Sequence, residues 1–236
     1  MAQEVFARYE KKYWLSPDQY HVLRGLLLDR MREDDYGRYT ICNIYYDTPD
    51  YHLIRTSLEK PIYKEKLRLR SYGRTDRDSP VFMELKKKYR SIVYKRRLTL
   101  PYDRALDCLT GACPWPETQI GGEIRYTVDF YPDLESRVFL AYERDSWLAP
   151  ESGLRITFDD AIRFRTEELT LDSDPWGTAL LGPDQVLMEL KAPGAIPLWM
   201  VRLLTEMRLY KTSFSKYGTA YQLLLEREWK GGKRYA

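Results

Sequence analysis

The sequence predicts a single α+β domain built on an antiparallel sheet with flanking helices. Segments with strand patterns outnumber those with helix patterns, and short connections dominate, as is typical of antiparallel pairing. A length of 236 residues suits one domain, and we find no internal repeat, low-complexity tract or long linker. A chain of this length buries enough apolar surface to fold without disulfide or metal staples. We therefore expect one domain over residues 1–236, with a sheet that is able to close into a barrel.

The first half of the chain begins with a strand and a helix. Val5 to Leu15 alternates polar and apolar residues, which predicts a strand. Ser16 followed by Pro17 is typical of a helix start, and leucines extend that helix to about Arg30. β-Branched, aromatic and alternating segments then predict a strand from Tyr39 to Asp47, a short helix to Leu58, and strands at Lys64 to Tyr72, Val81 to Tyr89 and Ser91 to Leu100.

The second half opens with a loop from Cys108 to Thr118, which contains glycine and two prolines. The segments after it predict a helix at Glu123 to Phe130, a hairpin of Ser136 to Trp147 with Leu154 to Asp159, a strand at Gln185 to Lys191, and helices at Pro197 to Arg208 and Gly218 to Trp229. We expect the last six residues to fray.

Composition excludes several classes of protein. The hydrophobic fraction of 44% and the charged fraction of 31% are those of a globular chain, not a disordered one. Three cysteines without CxxC spacing disfavour a disulfide framework, and two histidines exclude a His-rich zinc site. No apolar run approaches the roughly 18 residues of a membrane span, and the N-terminus is unlike a signal peptide. We expect a cytoplasmic protein.

The net charge of +3 conceals a strong segregation along the chain. The segment from Lys60 to Arg97 has 14 basic and four acidic residues, whereas the remainder has 24 basic and 31 acidic ones. Such a concentration indicates an anion-binding site, for which nucleic acid, phosphate-rich small molecules and acidic lipids are all admissible partners.

The cations recur at every second position of the predicted strands. Lys66, Arg68 and Arg70 share one face of their strand, with leucines on the other, and Glu84 shares a face with Lys86. A sheet with one solvated face gives the same pattern in any single strand. Because six strands repeat it, we favour a barrel of about eight strands whose interior cations bind an extended polyanion.

An ordered set of short motifs resembles the catalytic domain of the vacuolar transporter chaperone (VTC) polyphosphate polymerases. No single motif is specific, but their order spans nearly the whole chain. They are KYWLSPD at 12–18, NIYYD at 43–47, LEK at 58–60, LRLRSYG at 67–73, ELK at 84–86, KRR at 95–97, YER at 142–144, Arg155 with Asp159, ELK at 189–191 and SKY at 215–217.

The resemblance implies the fold of the triphosphate tunnel metalloenzymes, an eight-stranded antiparallel barrel around a tunnel lined with Lys, Arg and Glu. It implies that the phosphates are gripped by nine basic residues: Lys12, Arg68, Arg70, Lys86, Lys95, Arg97, Arg144, Arg155 and Lys216. Further substrate contacts are assigned to Tyr142, Ser215, Arg8 and Lys191. The divalent metal, Mn²⁺ or Mg²⁺, is assigned to Glu189, with weaker candidates at Glu10, Glu84 and Glu143.

Two departures from related sequences bear on the reaction. The related CYTH enzymes begin with an ExExK strand, whereas Arg8 to Lys12 retains one Glu, which favours the polymerase branch over a two-metal hydrolase. Eukaryotic relatives tend to have Lys in place of Ser213, and whether Lys211 replaces it stays open. The SPX and membrane-spanning parts of the eukaryotic proteins are missing, so we expect a stand-alone, bacterial-type version.

The expected reaction transfers the γ-phosphate of ATP to a polyphosphate or pyrophosphate end and releases ADP. Phosphoryl transfer needs mainly positioning and charge neutralisation, and a terminal phosphate oxygen is already ionised, so no general base is required. The alternatives are a triphosphatase with Glu10 or Glu84 as base, and a non-catalytic polyphosphate-binding module. Nucleic acid is disfavoured because charges inside a barrel cannot reach a duplex backbone. A membrane partner that the sequence does not identify stays open.

Overall fold

The computed structural model describes residues 9–35, 37–90 and 92–230, which contain eleven strands and six helices. The strands are β1 (Tyr9–Leu15), β2 (Arg32–Glu33), β3 (Tyr39–Asp47), β4 (Tyr63–Tyr72), β5 (Pro80–Tyr89), β6 (Ile92–Pro101), β7 (Glu135–Ala149), β8 (Leu154–Arg165), β9 (Thr178–Ala179), β10 (Val186–Ala192) and β11 (Lys211–Thr212). The helices are α1 (Pro17–Leu27), α2 (His52–Leu58), α3 (Tyr102–Thr110), α4 (Gln119–Phe130), α5 (Leu198–Glu206) and α6 (Lys216–Lys230).

The predicted α+β class with an antiparallel sheet is confirmed. The pairs β1–β10, β1–β11, β8–β10, β2–β7, β3–β4, β4–β5 and β5–β6 are all antiparallel. Eight strands have seven or more residues, which matches the predicted number, and β2, β9 and β11 are additions of two residues each. The fraying expected of the last six residues, and the start of the first strand before Tyr9, lie outside the described residues.

Local sequence signals explain most element boundaries. Ser16 caps α1, because its hydroxyl accepts a hydrogen bond from the Gln19 amide while the Gln19 side chain returns one to the Ser16 amide. Thr118 caps α4 through the Gly121 amide and so starts that helix four residues earlier than predicted.

Two further boundaries differ from the prediction. The loop predicted from Cys108 begins too early, because α3 continues to Thr110 and ends at Gly111. The signal was weak, since Pro101 precedes this helix without any side-chain cap. Strand β8 continues to Arg165, six residues beyond the predicted end, although it passes through Ala161 with a positive φ of 45°.

The chain forms two compact units that are interleaved along the sequence. In the described residues, the first unit comprises the chain up to Thr40, Tyr142–Ile162 and Ala179–Phe214. Its strands follow the order β11-β1-β10-β8-β7. Helix α1 packs its buried Leu23 and Leu27 on this sheet, where they join a core with Phe158 and Met188.

The second unit comprises Ile41–Ala141, Arg163–Thr178 and the chain from Ser215. Its strands follow the order β7-β3-β4-β5-β6, since β7 runs through both units. Leucines of β4 and β5 form its core with residues of α3 and α4. The end strands β11 and β6 each have one hydrogen-bonded partner strand in the described residues. Closure of the sheet into a barrel and the single domain stay predictions.

Candidate functional site

One face of β4, β5 and β6 in the second unit carries a band of cations. The register places Lys66 opposite Lys86, which lies opposite Lys95, and the next row is Arg68, Glu84 and Arg97. Residues that face each other across antiparallel strands project to the same side of the sheet. We call this set the basic face, and it consists of Lys66, Arg68, Arg70, Lys86, Lys95 and Arg97.

The opposite side of the same strands explains why the cations are held in place. Leu67, Leu69 and Leu85 alternate with the basic residues, and all three are buried in the apolar core. A shift of the register by one residue would bring the cations into that core, so the hydrophobic pattern fixes the basic face.

Glu84 lies at the centre of the basic face and is only 2% exposed. The Nε atoms of Arg68 and Arg97 each donate a hydrogen bond of 2.8 Å to one of its carboxylate oxygens. The Nζ of Lys95 lies 2.7 Å from Oε1, and the Nε of Arg70 lies 3.7 Å from Oε2. One buried carboxylate therefore organises four cations.

This clustering shifts the pKa of both Glu84 and Lys95. Burial alone would raise the pKa of Glu84, but the positive charges of Arg68, Arg70 and Lys95 outweigh it and hold that pKa far below its usual range. Burial, helped by Arg97 and Arg70 and opposed by Glu84, lowers the pKa of Lys95 to about 8. Its side chain keeps 45% exposure, so water offsets part of this effect. Glu84 stays ionised, and the pKa of Lys95 lies below the usual value of a lysine.

Strand β3 supplies polar groups that orient the arginines. The buried Asn43 accepts a hydrogen bond of 3.0 Å from the Nε of Arg70 and donates one to the Leu140 carbonyl. Tyr45 accepts a hydrogen bond of 3.0 Å from Arg68 and stacks on Tyr217, with the two ring centroids 4.4 Å apart. These contacts fix the guanidinium groups before any ligand arrives.

The start of α6 lies beside the Lys66 end of the basic face. The Nζ of Lys66 is 3.4 Å from the Ser215 hydroxyl, which also accepts a hydrogen bond from the Gly218 amide. Lys216 follows Ser215 and is largely buried at the first position of the helix. The structure thus brings the predicted Ser215 close to a lysine of the face.

In the first unit, Glu189 on β10 is flanked by two lysines. It is 7% exposed, and its oxygens lie 3.1 Å from the Nζ of Lys12 and 3.0 Å from that of Lys191. Lys12 also donates a hydrogen bond of 2.8 Å to the Phe214 carbonyl and lies 3.8 Å from Glu10. Glu189 therefore forms ion pairs with both Lys12 and Lys191.

Arg144 and Asp159 form a second buried pair in the first unit. Arg144 donates from Nε and Nη2 to the two oxygens of Asp159, at 2.5 and 2.7 Å. Burial by itself would lower the pKa of Arg144, but the attraction of Asp159 raises it well above its usual value. The guanidinium also lies over the ring of Tyr142, 5.0 Å from its centroid. Arg144 is thus a permanent, oriented cation.

A divalent metal held partly by substrate is compatible with the Glu189 cluster. In the described parts of the chain, no group of three or more His, Cys, Asp or Glu side chains is placed to hold a metal ion. Thr157 lies opposite Glu189 in the register and is 6% exposed, and its hydroxyl has no hydrogen-bond partner among the described residues. Magnesium and manganese accept one carboxylate together with phosphate and water oxygens. The donors fit such a shared site and do not fit a cage made by protein alone.

The remaining predicted residues lie in different places. Arg155 is exposed and lies opposite Lys191 in the register. Glu143 accepts a hydrogen bond from Thr40 and alternates with Tyr142 and Arg144, so it projects to the other side of β7. Lys211 lies opposite the buried Tyr13, on the side of β1 that Lys12 does not share. Arg8 lies outside the described residues.

Three functional candidates were not among the predicted site residues. Lys66 occupies the first row of the basic face, and Asn43 and Tyr45 orient its arginines. The period-two pattern of β3 and β4 contained the signal, because Lys66 shares the face of Arg68. Which residue of β3 lies opposite which arginine depends on the strand register, and that became known only from the structure.

Comparisons with known proteins agree with this architecture. The model of the VTC domain matches residues 7–225. The chain belongs to the VTC domain family. No match was found among curated proteins. Among solved structures, a putative adenylate cyclase from Bacillus halodurans is similar at 14% identity and a TM-score of 0.56, with 91% of this chain and 96% of that chain covered.

A second solved structure, a putative adenylate cyclase from Vibrio parahaemolyticus, has 13% identity and a TM-score of 0.49 over 93% of this VTC-domain chain and 99% of its own. At 14% identity, the likeness to the Bacillus halodurans structure concerns the fold alone. Family and fold together support a triphosphate-binding tunnel enzyme. Within the described ranges, none of the helices combines the length and the apolar character needed to cross a bilayer.

Proposed function

We propose that this VTC-domain protein is a polyphosphate polymerase that transfers the γ-phosphate of ATP to a growing polyphosphate or pyrophosphate end and releases ADP. The observation that carries the proposal is the basic face, which places six cations on one side of the sheet, four of them paired with Glu84, in a chain of this family. ATP, polyphosphate and pyrophosphate are the proposed ligands. Tyr142, Ser215, Arg155 and Lys216 are proposed to add contacts to them.

The charge balance of the basic face supports a polyanionic ligand. Lys66, Lys86 and Lys95 lie directly opposite one another on three neighbouring strands, an arrangement that is unfavourable for like charges. Glu84 neutralises one unit of charge in a set of six cations. A chain of phosphates, which carries one or more negative charges per unit, would relieve the remaining repulsion.

The state of Glu84 favours transfer to phosphate over hydrolysis. A hydrolase needs a group that takes a proton from water, and a carboxylate whose pKa is held far below its usual range is a poor base. The terminal phosphate of a growing chain needs no such base, because its oxygen is already ionised. Arg68, Arg70 and Arg97 would then stabilise the charge on the transferring phosphoryl group.

The proposed metal is Mn²⁺ or Mg²⁺, held by Glu189 together with phosphate oxygens. When bound, it would neutralise charge on the phosphates. Lys12 and Lys191 already neutralise Glu189, so the carboxylate would hold a metal only weakly by itself and would accept one that arrives with a triphosphate. The hydroxyl of Thr157 is the nearest unused donor in the register. Glu10 is exposed and comes second, and the placements of Glu84 and Glu143 argue against them.

The proposal includes a cytoplasmic location, where ATP is supplied, and no nucleic acid among the ligands. A membrane partner that takes up product is compatible with it.

The test uses two neighbouring arginines of β6 that project to opposite sides. Arg97 contacts Glu84 on the basic face. Arg96 pairs instead with Glu123 of α4, and its Nε lies 2.7 Å from a carboxylate oxygen of Glu123. Purified protein is incubated with ATP and Mn²⁺, and the products are sized on a polyacrylamide gel. We expect long chains from the parent and from Arg96→Ala, and a loss of at least about 100-fold in Arg97→Ala. Equal chain synthesis by both folded variants would contradict the role of the basic face.

A further inference from the structure

Helix α3 ends in a turn that brings two cysteines together. Gly111 adopts the left-handed conformation with φ of 77°, in which glycine has no steric penalty. The amides of Ala112 and Cys113 then donate to the Asp107 carbonyl, so the chain folds back over the last turn of the helix. As a result the Sγ atoms of Cys108 and Cys113 lie 3.2 Å apart.

We propose that Cys108 and Cys113 form a reversible dithiol–disulfide site that reacts with two-electron oxidants such as hydrogen peroxide. A disulfide bond is about 2.05 Å long, so the two sulfurs need only a small approach. This inference is independent of the proposed function.

The environments of the two sulfurs assign their roles. Cys108 is buried in the core of the second unit, and its burial raises the pKa of its thiol to about 12. Cys113 is partly exposed and is thus the sulfur that an oxidant in water reaches first. Cys42 is buried in the middle of β3, so it serves as an internal reference thiol.

The chemistry proceeds in two balanced steps. The Cys113 sulfur attacks one oxygen of the peroxide, the O–O bond breaks, and a sulfenic acid and water form. The Cys108 sulfur then attacks the Cys113 sulfur, the S–O bond breaks, and a second water leaves with the thiol proton. In total, two thiols and one peroxide give one disulfide and two waters. An external dithiol reverses the bond.

The bond would fix the end of α3, which packs on β5 and β6 behind the basic face. A disulfide restricts the unfolded chain, so oxidation should raise the melting temperature by about 4 °C even though the closed loop is short. Reduction should return the melting temperature to its starting value.

Mass spectrometry of the full-length folded protein tests the site. Trypsin releases both cysteines in one peptide, Ala105 to Arg125, because no Lys or Arg lies between its ends. After peroxide treatment we expect this peptide to lose two hydrogens and to regain them with dithiothreitol. The count of free thiols in denaturant should fall from three to one.

Two variants serve as controls. Cys42→Ser should still lose the two hydrogens, whereas Cys113→Ser should not and should lack the reversible rise in melting temperature. If the folded parent keeps three thiols, or if Cys113 proceeds to sulfinic acid while Cys108 stays reduced, the proposal is overturned.

Discussion

Replacement of Glu84 by Gln separates the organising role of this carboxylate from a role in metal binding or proton transfer. The change keeps the shape of the side chain and removes a charge that is 2% exposed. Removal of one partner of a buried ion pair typically costs about 3 to 5 kcal/mol. The side chains of Arg68, Lys95 and Arg97 are 23, 45 and 37% exposed, so water compensates part of the loss. We therefore expect Glu84→Gln to lose unfolding free energy at the lower end of this range, about 3 kcal/mol.

The same variant should respond more strongly to polyanions than the parent. Tripolyphosphate at a hundredfold excess over Kd stabilises a folded protein by about 2.7 kcal/mol. Without Glu84 the cations have lost their counter-charge, so tripolyphosphate should bind more tightly. At the same tripolyphosphate concentration, the difference in unfolding free energy between variant and parent should shrink by about 1 kcal/mol or more. This corresponds to roughly five- to tenfold tighter binding by the variant.

Urea unfolding with and without tripolyphosphate measures both effects. Glu65→Gln is the matched control, because Glu65 on β4 is buried like Glu84 but projects to the other side of the sheet. There the hydroxyls of Tyr63 and Tyr131 donate hydrogen bonds to its carboxylate. It should lose stability without any additional response to tripolyphosphate. If Glu84→Gln unfolds like the parent, or responds to tripolyphosphate no more than Glu65→Gln does, the assignment of Glu84 as the centre of a cation cluster is wrong.

The stability contributed by Glu84 also has a defined pH dependence. Its folded pKa lies below the unfolded value of about 4.3, so the folded state releases its proton more readily. The contribution is therefore fully present above about pH 4.3 and is lost as pH falls further towards the folded pKa. The difference between Glu84→Gln and the parent should stay constant from about pH 5 to pH 7 and shrink below about pH 4.

Further predictions concern binding, turnover and metal. Because the folded pKa of Lys95 is lowered to about 8, the protein should take up a proton when tripolyphosphate binds at pH 8.5. Calorimetry in two buffers of different ionisation enthalpy measures this uptake, and the binding enthalpy of Lys95→Arg should not depend on the buffer. Arg70→Ala should leave the fold intact and reduce ATP turnover at least about 100-fold, whereas Arg74→Ala, at an exposed loop arginine, should not. Glu189→Gln should keep triphosphate binding and lose Mn²⁺-dependent turnover, which a titration of Mn²⁺ in the presence of a non-hydrolysable ATP analogue checks. If the variant binds Mn²⁺ and turns over ATP like the parent, the carboxylate is structural. Thr157→Val should raise the melting temperature, because a buried unpaired hydroxyl costs about 1 to 3 kcal/mol of stability. It should also lower Mn²⁺-dependent turnover, and unchanged turnover would show that the hydroxyl does not take part in metal binding.

Elements with strong local signals could be predicted from the sequence. Strand β3 agrees with its prediction at both ends, because six of the nine residues from Tyr39 to Asp47 are β-branched or aromatic. Helix α1 has a capping box at Ser16 and ends at Leu27, three residues before the predicted end. Helix α3 was missed because Pro101 offers no side-chain cap and tertiary packing of its buried Tyr102, Ala105 and Cys108 stabilises it.

The faces of the site were also predictable, but its contacts were not. The period of two assigned Arg68, Glu84 and Arg97 to particular faces of their strands. That these three residues share one row depends on the register of two hairpins, and a shift by two residues would preserve every face while changing every partner. The pairing of Cys108 with Cys113 depends likewise on the turn at Gly111, because spacing in the sequence does not specify how the chain reverses.

The stoichiometry of ATP consumption tests the proposed polymerase most directly. Protein, ATP and Mn²⁺ are followed by ³¹P nuclear magnetic resonance, which separates terminal, bridging and free phosphate. The account predicts one bridging phosphate for each ADP formed and almost no orthophosphate. Orthophosphate released in step with ADP would identify a triphosphatase, unchanged ATP in the presence of bound polyphosphate would identify a binding module, and either result would contradict the account.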